Sequence, residues 1–167
     1  MKRISLIILC SAYLLSPSVL YAKILNKQPK FTDYPVQIYT GPTAKLDMSD
    51  ADARLFRTRL SEGLKQKPDY AGEYVAVGWG CGAMCFSLTL ISKRTGKILK
   101  AFGGETGEKL IDIQPNSLLL VTHGSVQMNE KELYAKKFYL LKNNQLKLVY
   151  HTPIPAKSEA DNDTLNP

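Results

Sequence analysis

The spacing of apolar positions changes at Gly72. Before it, Ala53, Phe56, Leu60 and Leu64 recur at steps of three and four, which gives one apolar stripe, while Arg57, Arg59 and Glu62 face elsewhere. That spacing predicts one amphipathic helix. Ser49 is placed to cap it, Asp50 and Asp52 favour the positive end of its dipole, Lys65 and Lys67 sit at the other end, and Pro68 stops it. After Gly72 the period is two. "EYVAVGW" alternates around Val75 and Val77. "FSLTLIS", the turn Lys93-Arg94-Thr95-Gly96 and "KILKAF" predict a hairpin. "KLIDI", a turn at Pro115-Asn116 and "SLLLVTH" predict a second, and "KKFYLL", Asn143-Asn144 and "QLKLVYH" a third. "YPVQIYTGP" reads as a short edge strand closed by Gly41-Pro42, residues 23–33 as a polar lead-in, and "GGETGE" and "GSVQMNEKE" as polar loops. The expected class is α+β: a mainly antiparallel meander of six to eight strands with one N-terminal amphipathic helix.

The β region hints at repetition. Val77-Gly78-Trp79-Gly80 aligns with Val121-Thr122-His123-Gly124 at an offset of 44, and "LISKRTGKIL" aligns with "LLKNNQLKL" at an offset near 50. Each half then reads strand, loop, strand, polar turn, strand, like a blade of a β-propeller. Two such units do not close a propeller, and any antiparallel meander shows a similar period.

The chain ends change where the protein is expected to work. Lys2 and Arg3 precede an uncharged run from Ile4 to Leu15, Ser16-Pro17-Ser18 breaks it, and Leu20-Tyr21-Ala22 is an acceptable cleavage site. Residues 1–22 therefore read as a signal peptide. The run is well short of the roughly 20 residues of a membrane span, and large Ile8 and Leu9 before Cys10 argue against lipidation. The expected mature protein starts near Lys23, is periplasmic or secreted, and makes no stable membrane insertion after cleavage. One globular domain over 23–155 and a disordered acidic tail over 156–167 complete the organisation. Loss of Lys2 and Arg3 lowers the net charge from +7 to +5. That charge is spread out, which fits a solvated surface or a patch for an acidic partner, and no nucleic-acid motif accompanies it.

Candidate chemistry centres on "VGWGCGAMCFS", with the only Trp and two of the three cysteines. Along a continuous strand Cys81 and Cys85 would lie roughly 13 Å apart, whereas a disulfide needs Cα atoms within about 7 Å. If they are bonded, the chain turns between them, with Gly80 and Gly82 as the residues that permit it. The strand ending at Trp79 would enter a tight loop and leave as the strand beginning at Phe86. A structural disulfide between Cys81 and Cys85 in an oxidising compartment is one reading. An exchange-active thiol pair is another, although the usual Cys-x-x-Cys and βαβ context are missing. A soft copper site with Met84 and His123 is a third.

The remaining chemistry is thin. His123 and His151 are the only histidines, and zinc-finger spacing, a Gly-x-Ser-x-Gly elbow, His-Glu-x-x-His and a phosphate loop are all missing from the chain. A carboxylate pair such as Asp112 with Glu73 is the remaining hydrolytic arrangement. No catalytic residue, resident metal or cofactor is implied.

"FRTRL", "PDYAGEYVAVGWGCGAMC", "SKRTGKI" and "QPNSLLLVTHG" together resemble a group of uncharacterised exported bacterial proteins with a Trp-Gly-Cys-Gly-x-x-Cys motif, over roughly residues 54–124. The resemblance implies export and a fold, and no established activity. The chain departs from the group at Asp69-Tyr70, where the group has Asn-Phe, and at Glu73, where it often has His; a ligand or base role of that His does not carry over. The expected function is a non-enzymatic envelope binding module, such as an inhibitor or toxin-immunity protein, whose partner is an envelope or secreted protein. Its contact surface would be the loops at 80–86, 103–108 and 124–132. The alternative is a periplasmic thiol-redox or copper-binding protein using Cys81 and Cys85.

Overall fold

The structure, a computed structural model, describes residues 27–82, 85–102, 108–128 and 130–155, without the side chains of Cys81, Cys85 and Met128. The signal segment 1–22, the tail 156–167 and residues 103–107 lie outside the described residues.

The chain is β-rich, with seven strands in two antiparallel sheets. The first sheet has the order β1-β2-β3, with β1 Tyr74–Gly82, β2 Cys85–Ser92 and β3 Ile98–Phe102. The second has the order β4-β5-β6-β7, with β4 Lys109–Ile113, β5 Leu119–Met128, β6 Lys131–Lys142 and β7 Gln145–Pro153. All three hairpins read from turn chemistry are present. Asn143 and Asn144 take φ of 52° and 55°, the paired left-handed conformation that turns β6 directly into β7.

Three expectations need correction. "GSVQMNEKE" is not a loop: β5 and β6 stay paired through it to Met128↔Lys131. Its side chains alternate between two wet faces, so no apolar alternation advertises it. "YPVQIYTGP" is not a strand but a strap with a single bridge, Pro35↔Ser117. Its backbone and that of the two residues after it instead bond three separate turns, Val36 N–H to Asn116 O at 2.9 Å, Tyr39 N–H to Gly72 O at 2.8 Å and Ala44 N–H to Lys93 O at 2.8 Å. Pro35 and Pro42 could not donate to a continuous ladder. The single helix is two short ones, α1 Ala51–Leu55 and α2 Arg57–Gly63, capped by Asp50 rather than Ser49 and ending before Pro68. The break falls at Phe56, whose ring meets Trp79 at 4.6 Å.

Core placement follows the alternation. Leu90 of the first sheet and Leu120 of the second are fully buried in one cluster with Tyr70, Ala71 and Tyr74, so the sheets pack face to face. Each such leucine contributes roughly 1.5–3 kcal/mol on burial. The far face of the first sheet takes α1 and α2 through Ala53, Leu60, Leu64 and Ile91. The far face of the second takes Phe31 and Tyr34 over Leu119, Val121 and Phe138.

Backbone direction decides how the two sheets correspond. Tyr74 bonds Tyr70 through both its N–H and C=O, so its polar groups point away from β2. Alternation then aims residues 75, 77 and 79 at β2, and residues 76, 78 and 80 at the open edge of β1. In the second sheet Leu118 O accepts from Leu141 N–H at 3.1 Å, which aims Leu120 and Thr122 at β6 and Val121 and His123 at β4. The offset of 50 matches Thr89 with Tyr139, whose partners are Val77 and Leu120. The strands β1 and β5 therefore correspond at an offset of 43, and the Val77–Val121 alignment at 44 is out by one residue. A one-residue slip turns every side chain to the opposite face.

Candidate binding surface

The antiparallel meanders put three connections at one end of their sheets: the β1–β2 turn, the β3–β4 connection and the β5–β6 turn. Two hairpins overhang their neighbours there. Beyond Lys109↔His123, where β4 begins, β5 and β6 stay paired through Gly124↔Ala135 to Met128↔Lys131; β7 follows β6 as far as Ala135↔Pro153, with Ile154 N–H bonded to Tyr134 O at 2.9 Å, and past that point only two strands continue among the described residues. This two-stranded ribbon carries Leu133 and Tyr134, the latter 48% exposed. Strand β3 ends opposite Leu88, and β1 and β2 stay paired past that point, from Trp79↔Ser87 to Gly82↔Cys85.

That second overhang contains the cysteine motif. The strands run further than expected, β1 to Gly82 and β2 from Cys85, because Gly80↔Phe86 and Gly82↔Cys85 pair on either side of a bulge at Cys81. The side chains of Cys81 and Cys85, and Met84 altogether, lie outside the described residues. Trp79 lies under Phe56, with the Arg59 guanidinium 5.6 Å from its ring centroid. Beside it a groove of about 630 Å³ separates α2 from the edge of β1, lined by Arg59, Glu62, Gln66, Ala76, Val77 and Gly78, among others.

A buried polar cluster fixes the base of the ribbon, and sequence reasoning missed it. Glu108 accepts from the Lys137 ammonium at 2.7 Å, from Tyr139 Oη at 3.0 Å and from Thr122 Oγ1. Lys137 also donates to Ser125 O at 3.0 Å. Glu108 and Lys137 are almost fully buried, and burial, then the Glu108 charge, pushes the Tyr139 phenol upward from its ordinary value. A Cβ at Gly124 would overlap Glu108 Oε2, so glycine there admits the carboxylate. Glu108, which closes the contact loop expected at 103–108, is instead a buried anchor where β4 is about to begin. The readable signal was alternation: Lys137 falls between inward Ala135 and Tyr139 in β6.

The other candidate residues are not brought together. Glu73 accepts from Ser92 Oγ at 2.6 Å and pairs with Arg94 at 2.7 Å, lining a cleft with Tyr74, Thr95 and Asn144. Asp112 is exposed on β4 and lines a different cleft, with Phe31 and Lys136 on the outer face of the second sheet. His123 is half-buried, edge-on to Tyr134 at 6.0 Å. His151 stands opposite Lys137 in the β6–β7 register, and its buried Nδ1 has no hydrogen-bond partner. No group of three or more metal-ligating side chains occurs among the described residues, and no described helix is long and apolar enough to cross a membrane.

No known relative decides the function. No family model, curated protein or solved structure matches the chain. The geometry of the two overhanging hairpins therefore carries the functional argument.

Proposed function

We propose that the chain is an exported, non-enzymatic binding module of the cell envelope, acting as an inhibitor or toxin-immunity protein through its overhanging hairpins. The observation that carries this reading is the β5–β6 ribbon, held at its base by Glu108–Lys137 and presenting Leu133 and Tyr134 to solvent just beyond that base. A rigid platform bearing partly apolar tips suits contact with another protein. In the same reading Cys81 and Cys85 form a structural disulfide that pins the neighbouring tip. The chain reversal that such a bond requires is supported by the pairing of Gly82 with Cys85. We also infer that the two meanders are copies of one blade-like unit, which their shared strand order supports.

The test is a pull-down from envelope extract with the mature protein and with a Leu133→Glu/Tyr134→Ala variant. A stoichiometric partner retained by wild type and lost by the variant is the expected result. No partner, together with copper that co-purifies only while Cys81 and Cys85 are intact, would replace this reading with the thiol or copper one.

A further inference from the structure

Strand β4 of the second sheet has no counterpart among the described strands of the first. Strands β1, β2 and β3 correspond in order to β5, β6 and β7, and β4 lies on the free side of β5, pairing from Lys109↔His123 to Ile113↔Leu120. At the offset of 43, Leu120 to His123 correspond to Val77 to Gly80. Among the described residues, no strand pairs with that stretch on its open side.

The edge is also prepared for pairing. Its lower half is filled by the chain itself: Tyr70 bonds Tyr74, and the Asp69 carboxylate accepts from Ala76 N–H at 2.9 Å. Its upper half, Ala76 C=O and both polar groups of Gly78 and Gly80, points outward into or just beyond the groove beside α2. Val121 and His123, which correspond to Gly78 and Gly80, are the β5 residues whose backbone faces β4. Two exposed glycines put no side chain in the path of an approaching backbone. The groove's charges are uneven. Glu62 is already paired with Lys65 at 2.6 Å, whereas exposed Arg59 makes no ion pair among the described residues. On the opposite face the Phe86 ring lies over Gly78, where a Cβ would come within 2.5 Å of it.

We propose that this edge receives an extended peptide from a protein partner, added antiparallel to β1 in the place that β4 takes beside β5, with an acidic side chain directed at Arg59. Main-chain bonds to Ala76, Gly78 and Gly80 supply affinity, and alternate side chains are read by Arg59 on the helix side and by Phe86 on the other. This rests on the reading of the chain as a protein-binding module and names a site and ligand chemistry for it.

The probe is a displayed library of random decapeptides panned against the mature protein, with synthetic winners measured by fluorescence polarisation. Enrichment of an acidic residue is expected, and Arg59→Glu should weaken the winners at least tenfold. N-methylation of the peptide should abolish binding at every second position, a pattern that pairing with a strand edge imposes and a side-chain pocket does not. Gly80→Pro removes an outward N–H without touching the β1–β2 ladder, and should lose the winners while keeping the wild-type melting temperature. Should that variant fold poorly, the N-methyl scan decides alone. No enrichment, indifference to Arg59→Glu or a flat N-methyl profile overturns the proposal. A partner captured from envelope extract through Leu133 and Tyr134, beside a failed panning, would sink the groove and leave the binding-module reading standing. A failed capture beside successful panning would sink Leu133 and Tyr134 as the contact surface and leave the groove standing.

Discussion

The two sheets solve the same problem differently. In the second, β5 is paired on both sides at its base, by β4 and by β6, and the space between them is closed enough to hold a carboxylate and an ammonium out of water. In the first, β1 is a sheet edge among the described residues, with half of its outward polar groups occupied there by Asp69 and Tyr70, and its nearby ion pairs, Arg94–Glu73 and Lys100–Asp52, stand at the surface. One additional strand separates a sheet that can bury a polar network from one that keeps a backbone available to others. An unfilled edge is ordinarily a liability that proteins blunt. Here the chain blunts the half near Tyr74 and leaves the half near Gly80.

The largest break in this comparison comes from the buried pair. Lys137→Met leaves the buried Glu108 carboxyl without its ammonium partner, at a cost on the order of 3–5 kcal/mol. Urea denaturation should show that loss, and adding Glu108→Gln to the same chain should recover much of it. No exposed pair in the first sheet should respond on that scale: Arg94→Met, at the Glu73 partner, should leave the unfolding midpoint nearly unchanged. A small effect of Lys137→Met would mean that the second sheet is not anchored by this cluster.

A smaller effect is expected at Gly124. An Ala side chain there displaces the Glu108 carboxylate from Lys137, for roughly 1–3 kcal/mol of destabilisation. If Gly124→Ala and Lys137→Met act on one cluster, the double variant should lose less than the sum of the two. The contrast is Gly78→Ala in the first sheet, where the neighbour is the outer end of the Phe86 ring, a flexible and exposed side chain that can swing away. Calorimetry on the two glycine variants should therefore rank Gly124→Ala well below Gly78→Ala in melting temperature.

These sites also show what could be read from sequence and what could not. The three hairpins were legible because apolar alternation and turn residues agree, as at Asn143-Asn144, where both φ values are positive. The ribbon beyond Gly124 was not. Ser125, Gln127 and Glu132 lie on strands with solvent at both faces, so burial imposes no period on them. The apolar stripe of Ala53, Phe56, Leu60 and Leu64 was legible too, and the break at Phe56 was not, because the Trp79 ring that meets it lies far along the chain. Glu108 looked like an ordinary loop acid, since its three partners come from β5 and β6. The alignments at 44 and near 50 do not share one strand register, since Val77 and Leu120, the partners of Thr89 and Tyr139, lie 43 apart. A chance Val–Gly match outweighed the alternation that side-chain facing obeys.

The finest test lies at the division of the β1 edge itself. Asp69 is half-buried, and burial raises its carboxyl above the ordinary range, against the lowering effect of the bond from Ala76 N–H. A group whose folded pKa exceeds its unfolded value stabilises the fold at pH below the unfolded value, and that contribution is lost as pH rises through the folded one. Asp69→Asn keeps an acceptor for Ala76 N–H and removes the titration. Relative to wild type it should therefore gain stability as pH rises through and just above the carboxylate range, and hold the gain at neutrality. Asp69→Ala removes the acceptor and should lose about 1–2 kcal/mol for the stranded N–H. That N–H would then be an additional donor at the open edge. Peptides that pair with β1 should gain one hydrogen bond on Asp69→Ala, from Ala76 N–H to a peptide C=O, detected as a new sensitivity to weakening that carbonyl by amide-to-ester exchange. An unchanged sensitivity pattern would show that the boundary of the open edge is set by something other than Asp69.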